Sequence, residues 1–397
     1  MANTDCQSIP DKIRGEGADA MRILMINSEY PPIGGGAGNA SAHVAQALAD
    51  QGQEVTVLTC RYDHLPNDSW NQGVRVIRVP SLRHAEPSSG PGEQLSFMLG
   101  AVFGGLRLVR QWKPDGVIAF FGVPSGPTGW VLQKFFGIPY VVSLRGGDVP
   151  GFRPYDFALY HRLIGPVIRM VWRGAGAVVA NSEGLRNMAQ EFAPDLEIQV
   201  IPNGVDGEEF YPVPRSWDPP RLLFVGRLVY QKGLDVLFKA LADLKDIDWM
   251  LTIVGDGAER EHLEEQVDDL GLDERVRFAG WVPHASLLGY YQQANLFVFP
   301  SRHEGMPNAL LEAMSSGLPA LATRIAGNEE LVLDGENGIL VPPDDRVALR
   351  EALRKIISSG DLRKTQGEKA RERVLQSYTW EATARAYLTV LRELSCS

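Results

Sequence analysis

Short, largely apolar runs alternate along this chain with longer stretches in which apolar residues recur every three or four. The first run is Arg22-Ile-Leu-Met-Ile26, and similar ones follow at Glu54–Leu58, Val74–Val79, Gly116–Phe120, Tyr140–Leu144, Ala177–Ala180 and Ile198–Ile201. A run without polar positions fits a strand buried on both faces, as in a parallel sheet flanked by helices. Helical stretches such as Ala40–Asp50 separate several of them, which predicts an open α/β sheet. The pattern breaks at Asp206–Pro220, with four prolines and no apolar period. It then restarts, with strands at Arg221–Val225, Trp249–Val254, Val276–Ala279, Leu296–Phe299, Pro319–Thr323 and Gly338–Val341. Helices are predicted at Gly233–Leu244, Ala258–Leu270, Pro307–Ser316 (closed by Gly317) and, terminally, Thr379–Leu394.

The pattern divides the chain into a polar leader at 1–20, a Rossmann-like domain at 21–205, a linker at 206–220, a second Rossmann-like domain at 221–375 and a C-terminal helix at 376–397. A length of 397 residues agrees, because one core seldom serves so long a chain. The fold expected is α/β, two doubly wound domains facing a central cleft, with ligands at the carboxyl ends of both sheets. A net charge of −10 excludes a nucleic-acid binder but not a cleft with a few cations for an anionic ligand. Three cysteines, Cys6, Cys60 and Cys396, form neither a disulfide framework nor a metal-ligand spacing, which points to a reducing, cytoplasmic setting. No uncharged apolar run approaches the roughly 18 residues a spanning helix needs. The uncharged stretch Leu95–Leu106, followed by Arg107, Arg110 and Lys113, admits peripheral contact with the inner face of a membrane. A helix packed on its own domain is the simpler reading.

Candidate chemistry collects after the strands of the second domain. Gly226 and Arg227 end its first strand, and Lys232 opens the next helix, offering close backbone approach and positive charge to a diphosphate. Val254-Gly-Asp-Gly257 follows the next strand, placing Gly255 at the same edge. Phe299-Pro-Ser-Arg-His-Glu-Gly-Met-Pro-Asn308 follows a later one and leads into a helix whose first N–H groups form an anion site. Glu304 and Glu312 would be repelled by phosphate, so they are assigned to hydroxyl groups of sugar and ribose. Asp246-Ile-Asp248 precedes a strand, where a metal–diphosphate site has no place, and it reads as a solvated turn. No metal and no cofactor are expected.

Glu304 and Glu312, with seven residues between them, together with Gly226-Arg227, Lys232-Gly233, Val254-Gly-Asp-Gly257, Ile201-Pro-Asn-Gly-Val-Asp206 and Ala326-Gly-Asn-Glu-Glu330, resemble the retaining GT-B glycosyltransferases of family 4. The resemblance runs from about Met21 to Val341. It implies that Arg227 and Lys232 bind the donor diphosphate, that Glu304 contacts the donor sugar, and that Glu312 takes the ribose hydroxyls. Backbone groups of Gly305 and Met306 would lie near sugar and phosphate, and Val282, after Gly280-Trp281, would meet the base. It also implies transfer from a nucleotide-diphosphate-sugar to a sugar or lipid-linked acceptor.

The loop Glu29-Tyr-Pro-Pro-Ile-Gly-Gly-Gly-Ala-Gly-Asn39 fails as a dinucleotide fingerprint, since two prolines delay the turn and residue 39 is not glycine. In the resembled family this loop approaches donor phosphate and acceptor, which nominates Gly35, Gly36 and Asn39. Many members carry His-Gly-x-Asp where this chain has Arg145-Gly-Gly-Asp148. Arg145 is permanently protonated and cannot act as a general base. It either binds an anionic group of acceptor or donor or forms a salt bridge to Asp148. Asn181-Ser-Glu183 is a further candidate for the cleft wall. Two other readings on the same architecture stand beside transfer: a nucleotide-sugar epimerase and a non-catalytic nucleotide-sugar-binding protein.

Overall fold

The computed structural model describes residues 20–83, 90–152 and 154–396. The leader expected at 1–20 lies, except for Ala20, outside them. In the first lobe β1 (Arg22–Ile26), α1 (Gly36–Asp50), β2 (Glu54–Cys60), β3 (Asp68–Asn71), β4 (Val74–Val79) and α2 (Pro91–Gln111) come first. They are followed by β5 (Gly116–Phe120), α3 (Gly126–Phe136), β6 (Tyr140–Leu144), α4 (Pro154–Gly174), β7 (Ala177–Ala180), α5 (Glu183–Phe192) and β8 (Ile198–Val200). The sheet runs β3-β4-β2-β1-β5-β6-β7-β8 and is parallel but for β3, which pairs antiparallel with β4. The sequence pattern does not predict β3, because Asp-Ser-Trp-Asn lies at a sheet edge and carries no apolar run, its one large apolar side chain, Trp70, being exposed.

The other lobe comprises β9 (Arg221–Val225), α6 (Leu234–Ala242), β10 (Met250–Val254), α7 (Arg260–Asp269), β11 (Val276–Gly280), α8 (Leu287–Gln293), β12 (Leu296–Phe299) and α9 (Asn308–Ser315). β13 (Ala320–Thr323), α10 (Ala326–Glu329), β14 (Gly338–Val341), α11 (Arg346–Ile357), α12 (Gly360–Ser377) and α13 (Trp380–Cys396) complete the chain. Its sheet order is β11-β10-β9-β12-β13-β14, with all strand pairs parallel. The order reverses between β9 and β12, so the loops after those two strands diverge and leave a crevice there.

Strand alternation divides the first lobe's core. Leu24, Ile26, Val117 and Val142 face Phe97, Leu132, Trp172 and Leu185, from the layer of α2 to α5. Ile23, Met25, Ile118 and Val141 face the opposite layer, where Val44 and Leu48 of α1 meet Tyr387 and Leu391 of α13. The terminal helix therefore belongs in space to the first lobe, a docking partner the sequence does not reveal. Each of its large apolar side chains buried there contributes about 2 kcal/mol. The chain crosses between lobes twice, side by side: the Val205 N–H donates to the Tyr378 carbonyl at 2.9 Å. Past the first crossing, the Asp206 carboxylate accepts the Glu208 and Glu209 N–H groups, and Arg215 fastens the linker to the Ala294 carbonyl at 2.9 Å. Helix α2 is packed on its domain through Phe97, Ala101 and Leu108, as the simpler reading expects, while Leu95, Leu99 and Phe103 on its other side face outward.

Candidate active site

The crevice between β9 and β12 gathers the candidates of the second lobe. Gly226 and Arg227 leave β9, and a single 3-10 turn, Tyr230–Lys232, brings Lys232 back across the sheet edge. The Lys232 ammonium donates to Glu304 Oε1 at 2.6 Å, and their side chains are only 13% and 10% exposed. The Phe299 ring lies 4.9 Å beneath the ammonium. Arg227, by contrast, is exposed, and its side chain pairs with none of the described residues. One cation is thus committed and shielded, and the other is free to meet an anion. Gly255 has φ +134°, and a Cβ there would stand 1.9 Å from the Gly226 carbonyl oxygen, so only glycine lets these two loops touch.

The loop bearing Glu304 is braced by residues that the sequence pattern does not single out. Gln231 donates to the His303 carbonyl. Buried Arg302 reaches Asp344 at 2.8 Å and Asp235 at 3.0 Å, and its guanidinium stacks 4.0 Å from the Tyr230 ring centre. The cue was a third basic residue, Arg302, in a loop already read for charge. Pro307 caps α9 rather than starting it, and Asn308 is its first residue. The N–H groups of that first turn have no intrahelical acceptors. Gly305 packs against Asn181, where an added Cβ would meet Oδ1 at 3.1 Å. Met306 is buried, its sulfur accepting the Asn203 N–H at 3.2 Å.

Glu312 lies deeper. It is 7% exposed, with Oε1 at 3.0 Å from His284 Nε2 and Oε2 accepting the Tyr291 hydroxyl at 2.8 Å. A ribose hydroxyl would have to share these oxygens. The other ring nitrogen of His284 is 3.4 Å from Glu209 of the linker. His43 of α1 tilts against His284 and stacks on Trp380 of α13 at 5.0 Å. Burial pushes His284 down, but hydrogen bonds to Glu209 and Glu312 outweigh it and raise the imidazole to about 10. Burial lowers His43, whose partners only partly restore it. Half-buried Val282 packs on the core two residues before His284. Asp246 forms an exposed ion pair with Arg354 at 2.6 Å, in keeping with a solvated turn.

Across the cleft, Gly35 caps α1 and Gly36 is its first residue, and a Cβ on Gly35 would meet nothing within 4 Å. Asn39 is half-buried one turn into the helix. The Asn308 amide donates to the Gly36 carbonyl at 3.1 Å, so the glycine loop touches the start of α9 directly. Asn308 in turn accepts from Asn203 at 2.8 Å, and Asn203 accepts from Arg145 Nη1 at 2.6 Å.

The structure corrects the reading of Arg145. Its guanidinium makes no ion pair with Asp148 and is spent on Asn203 and on the Tyr387 hydroxyl at 3.0 Å, with the Phe120 ring 4.1 Å away. Burial lowers its pKa against the pull of Tyr387 and Asp148. It braces β6, the hinge and α13, and its Nε is buried with no hydrogen-bond partner among the described residues. Asp148 accepts three backbone N–H groups, from Gly122 at 2.7 Å, Arg145 at 2.9 Å and Gly146 at 3.1 Å. Burial pushes its carboxyl up and those bonds pull it back. It shapes the loop after β6.

The lobes also meet at Glu330, whose carboxylate faces the Gly184 N–H at 3.4 Å. Burial raises this carboxyl to about 7, with Glu183 adding to the rise and Gly184 and Arg186 opposing it. The folded state then holds a proton that the unfolded state releases from about 4.5, so stability falls as pH rises from there through 7. Glu330→Gln is expected to flatten the decline in melting temperature over that window. An unchanged slope in the variant would remove Glu330 as its source.

Two Rossmann-like lobes opening on one cleft, with a shielded Lys–Glu pair at the switch point of the second, define a GT-B transferase. The chain belongs to the group 1 glycosyl transferases: residues 208–373 match that family's model, and residues 35–204 match the glycosyl transferase 4-like domain. It is 30% identical to glycogen synthase of Mycobacterium tuberculosis (strain H37Rv), over 94% of this chain and 95% of that protein. The lipopolysaccharide core biosynthesis glycosyltransferase LpsE of Rhizobium meliloti is 28% identical, over 90% and 96%. Among solved structures, sucrose-phosphate synthase from Thermosynechococcus elongatus superposes with a TM-score of 0.85 at 26% identity, covering 95% of this chain and 99% of that one. Anabaena HepE, in complex with UDP and glucose, shares the fold at a TM-score of 0.74 and 20% identity, over 94% and 99%. The protein is a glycosyltransferase.

Proposed function

We propose that the enzyme moves a sugar from a nucleotide-diphosphate-sugar to an acceptor hydroxyl with retained anomeric configuration and without a metal ion. The observation that carries this is the shielded Lys232–Glu304 pair beside the free Arg227 and the first turn of α9. The bond from the anomeric carbon to the diphosphate breaks, and its electron pair goes to the leaving oxygen. Lys232, held by Glu304, and the α9 N–H groups are fixed in advance where that charge appears, and the free Arg227 closes on it. The acceptor oxygen bonds the anomeric carbon on the same face, and its proton passes to the leaving phosphate. Glu304 holds the donor sugar's hydroxyls, its carboxylate oriented by the Lys232 ammonium 2.6 Å away. Cations supplied by the chain do the charge work that a metal would otherwise do.

A melting-temperature series with UDP, GDP and ADP and their sugars tests the donor. A bound nucleotide at a hundred times its Kd stabilises by about 2.7 kcal/mol. We expect one nucleotide to raise the melting temperature and Arg227→Ala to abolish the rise. No shift with any nucleotide would sink the donor assignment. NMR of the product anomer tests retention, and a rearranged nucleotide-sugar in place of a glycoside would mark an epimerase.

A further inference from the structure

The outer surface of the α2–α4 layer differs from the rest of the molecule. On α2, Leu95, Leu99 and Phe103 stand one turn apart on a single stripe and are 53%, 52% and 72% exposed. Such a stripe normally turns toward a core, and here the core is already supplied by Phe97, Ala101 and Leu108 on the opposite side. Phe135 at the end of α3, and Leu163 and Met170 on α4, add further exposed apolar side chains to the same layer.

Charge separates along with it. From Gln94 to Ser182 the chain has nine Lys and Arg and three Asp and Glu, although the whole protein carries 39 and 49. Exposed Arg107 continues the α2 stripe one turn beyond Phe103, and Arg110 follows. Lys134 stands beside Phe135, and Arg162 beside Leu163, each exposed. Apolar groups are thus interleaved with cations, and Asp115 is drawn off by an ion pair with Arg22 at 3.2 Å. Among the described residues no helix is long and apolar enough to cross a membrane.

We propose that this face seats the first lobe on an anionic lipid surface, with Leu95, Leu99 and Phe103 entering the interface and the flanking cations meeting lipid phosphates. Shallow apolar contact combined with basic residues is the chemistry of interfacial binding. A second copy of this chain is disfavoured as occupant, because two such faces would set like charges against each other. The inference is independent of the donor-site reading, since binding to lipid is measured without turnover.

The test is co-sedimentation of the full chain with phosphatidylcholine vesicles, with and without phosphatidylglycerol, at about 0.05 M and about 0.5 M salt. Binding is expected only with phosphatidylglycerol and is expected to fall at the higher salt. Leu99→Glu with Phe103→Glu, both exposed positions, is expected to lower the partition coefficient at least about tenfold at an unchanged melting temperature. Arg107→Glu with Arg110→Glu is expected to do the same through charge. No binding to anionic vesicles at low salt, equal binding to neutral ones, or binding indifferent to both variants would overturn the proposal. So would a dimer in solution that the Leu99/Phe103 variant dissociates, which would assign the face to a second copy.

Discussion

Lys232→Ala is expected to lower kcat/KM about 10²- to 10³-fold, and more than Arg227→Ala does. Loss of one preorganised charge donor at a developing anion costs roughly 3–4 kcal/mol in the transition state. Lys232 carries a second burden. Its ammonium is the ion-pair partner of Glu304, which is 10% exposed, so its removal leaves a shielded carboxylate beside the site expected for the donor phosphates. That uncompensated carboxylate is expected to repel the donor phosphates. Arg227 has no partner among the described residues, and Arg227→Ala is expected to reduce turnover while leaving the melting temperature unchanged. Lys232→Ala is expected to reduce both. A double-mutant cycle of Lys232→Ala with Glu304→Ala separates the burdens: strong non-additivity in kcat/KM is expected because the two side chains are in direct contact at 2.6 Å and position each other. Turnover within about threefold of wild type in both single variants would remove the pair from the reaction.

Much of the architecture was legible because parallel strands are buried on both faces and so write unbroken apolar runs. The boundaries of β1, β4, β5, β6, β7, β9, β12 and β14 coincide with runs read directly from the chain. β3 was missed because its side chains pack against nothing that demands an apolar pattern. Its cue was the turn instead: Gln72 and Gly73 both have positive φ and join Asn71 to Val74 in a two-residue hairpin. The donor-side cluster was legible for a related reason, since the loops after β9, β10 and β12 necessarily converge once those strands are neighbours.

What the sequence could not supply was the direction of side chains whose partners are remote. Arg145 is visibly out of place in the resembled motif. Its orientation depends on Asn203, 58 residues away, and Tyr387, 242 away on a helix whose docking no local pattern announces. A free arginine in a cleft and a buried brace look alike until those contacts are known. The same holds for Glu312, which reads as a ligand-binding residue until His284 and Tyr291 are found on its two oxygens.

Glu312→Ala is accordingly expected to weaken the fold as well as the donor site. The substitution strips a buried carboxylate from a cationic His284, leaves the Tyr291 hydroxyl only the Ala309 carbonyl at 3.3 Å, and relies on Glu209 alone to hold the imidazole. Breaking a buried ion pair from one side typically costs about 3–5 kcal/mol, and the partial exposure of His284 places this case at roughly 2–4. His284→Ala is expected to cost a similar amount, since it strands the more deeply buried Glu312 carboxylate, and the double variant should fall well short of the sum. The pH dependence carries the same signature. His284 is raised from 6.5 to about 10, so its stabilising share is complete below 6.5 and disappears as pH climbs through 10. Glu312→Gln, which keeps one acceptor but removes the charge, should flatten the stability profile between those values. Because Glu209 lies in the linker and His43 on the first lobe, that loss is expected to loosen the lobes' relative placement and raise the donor KM. Equilibrium unfolding from pH 6 to 10, alongside donor KM for wild type, Glu312→Gln and His284→Ala, reads both effects. A raised KM with an unchanged unfolding profile would assign Glu312 to ribose alone. An unchanged KM with a flattened profile would assign it to the hinge alone.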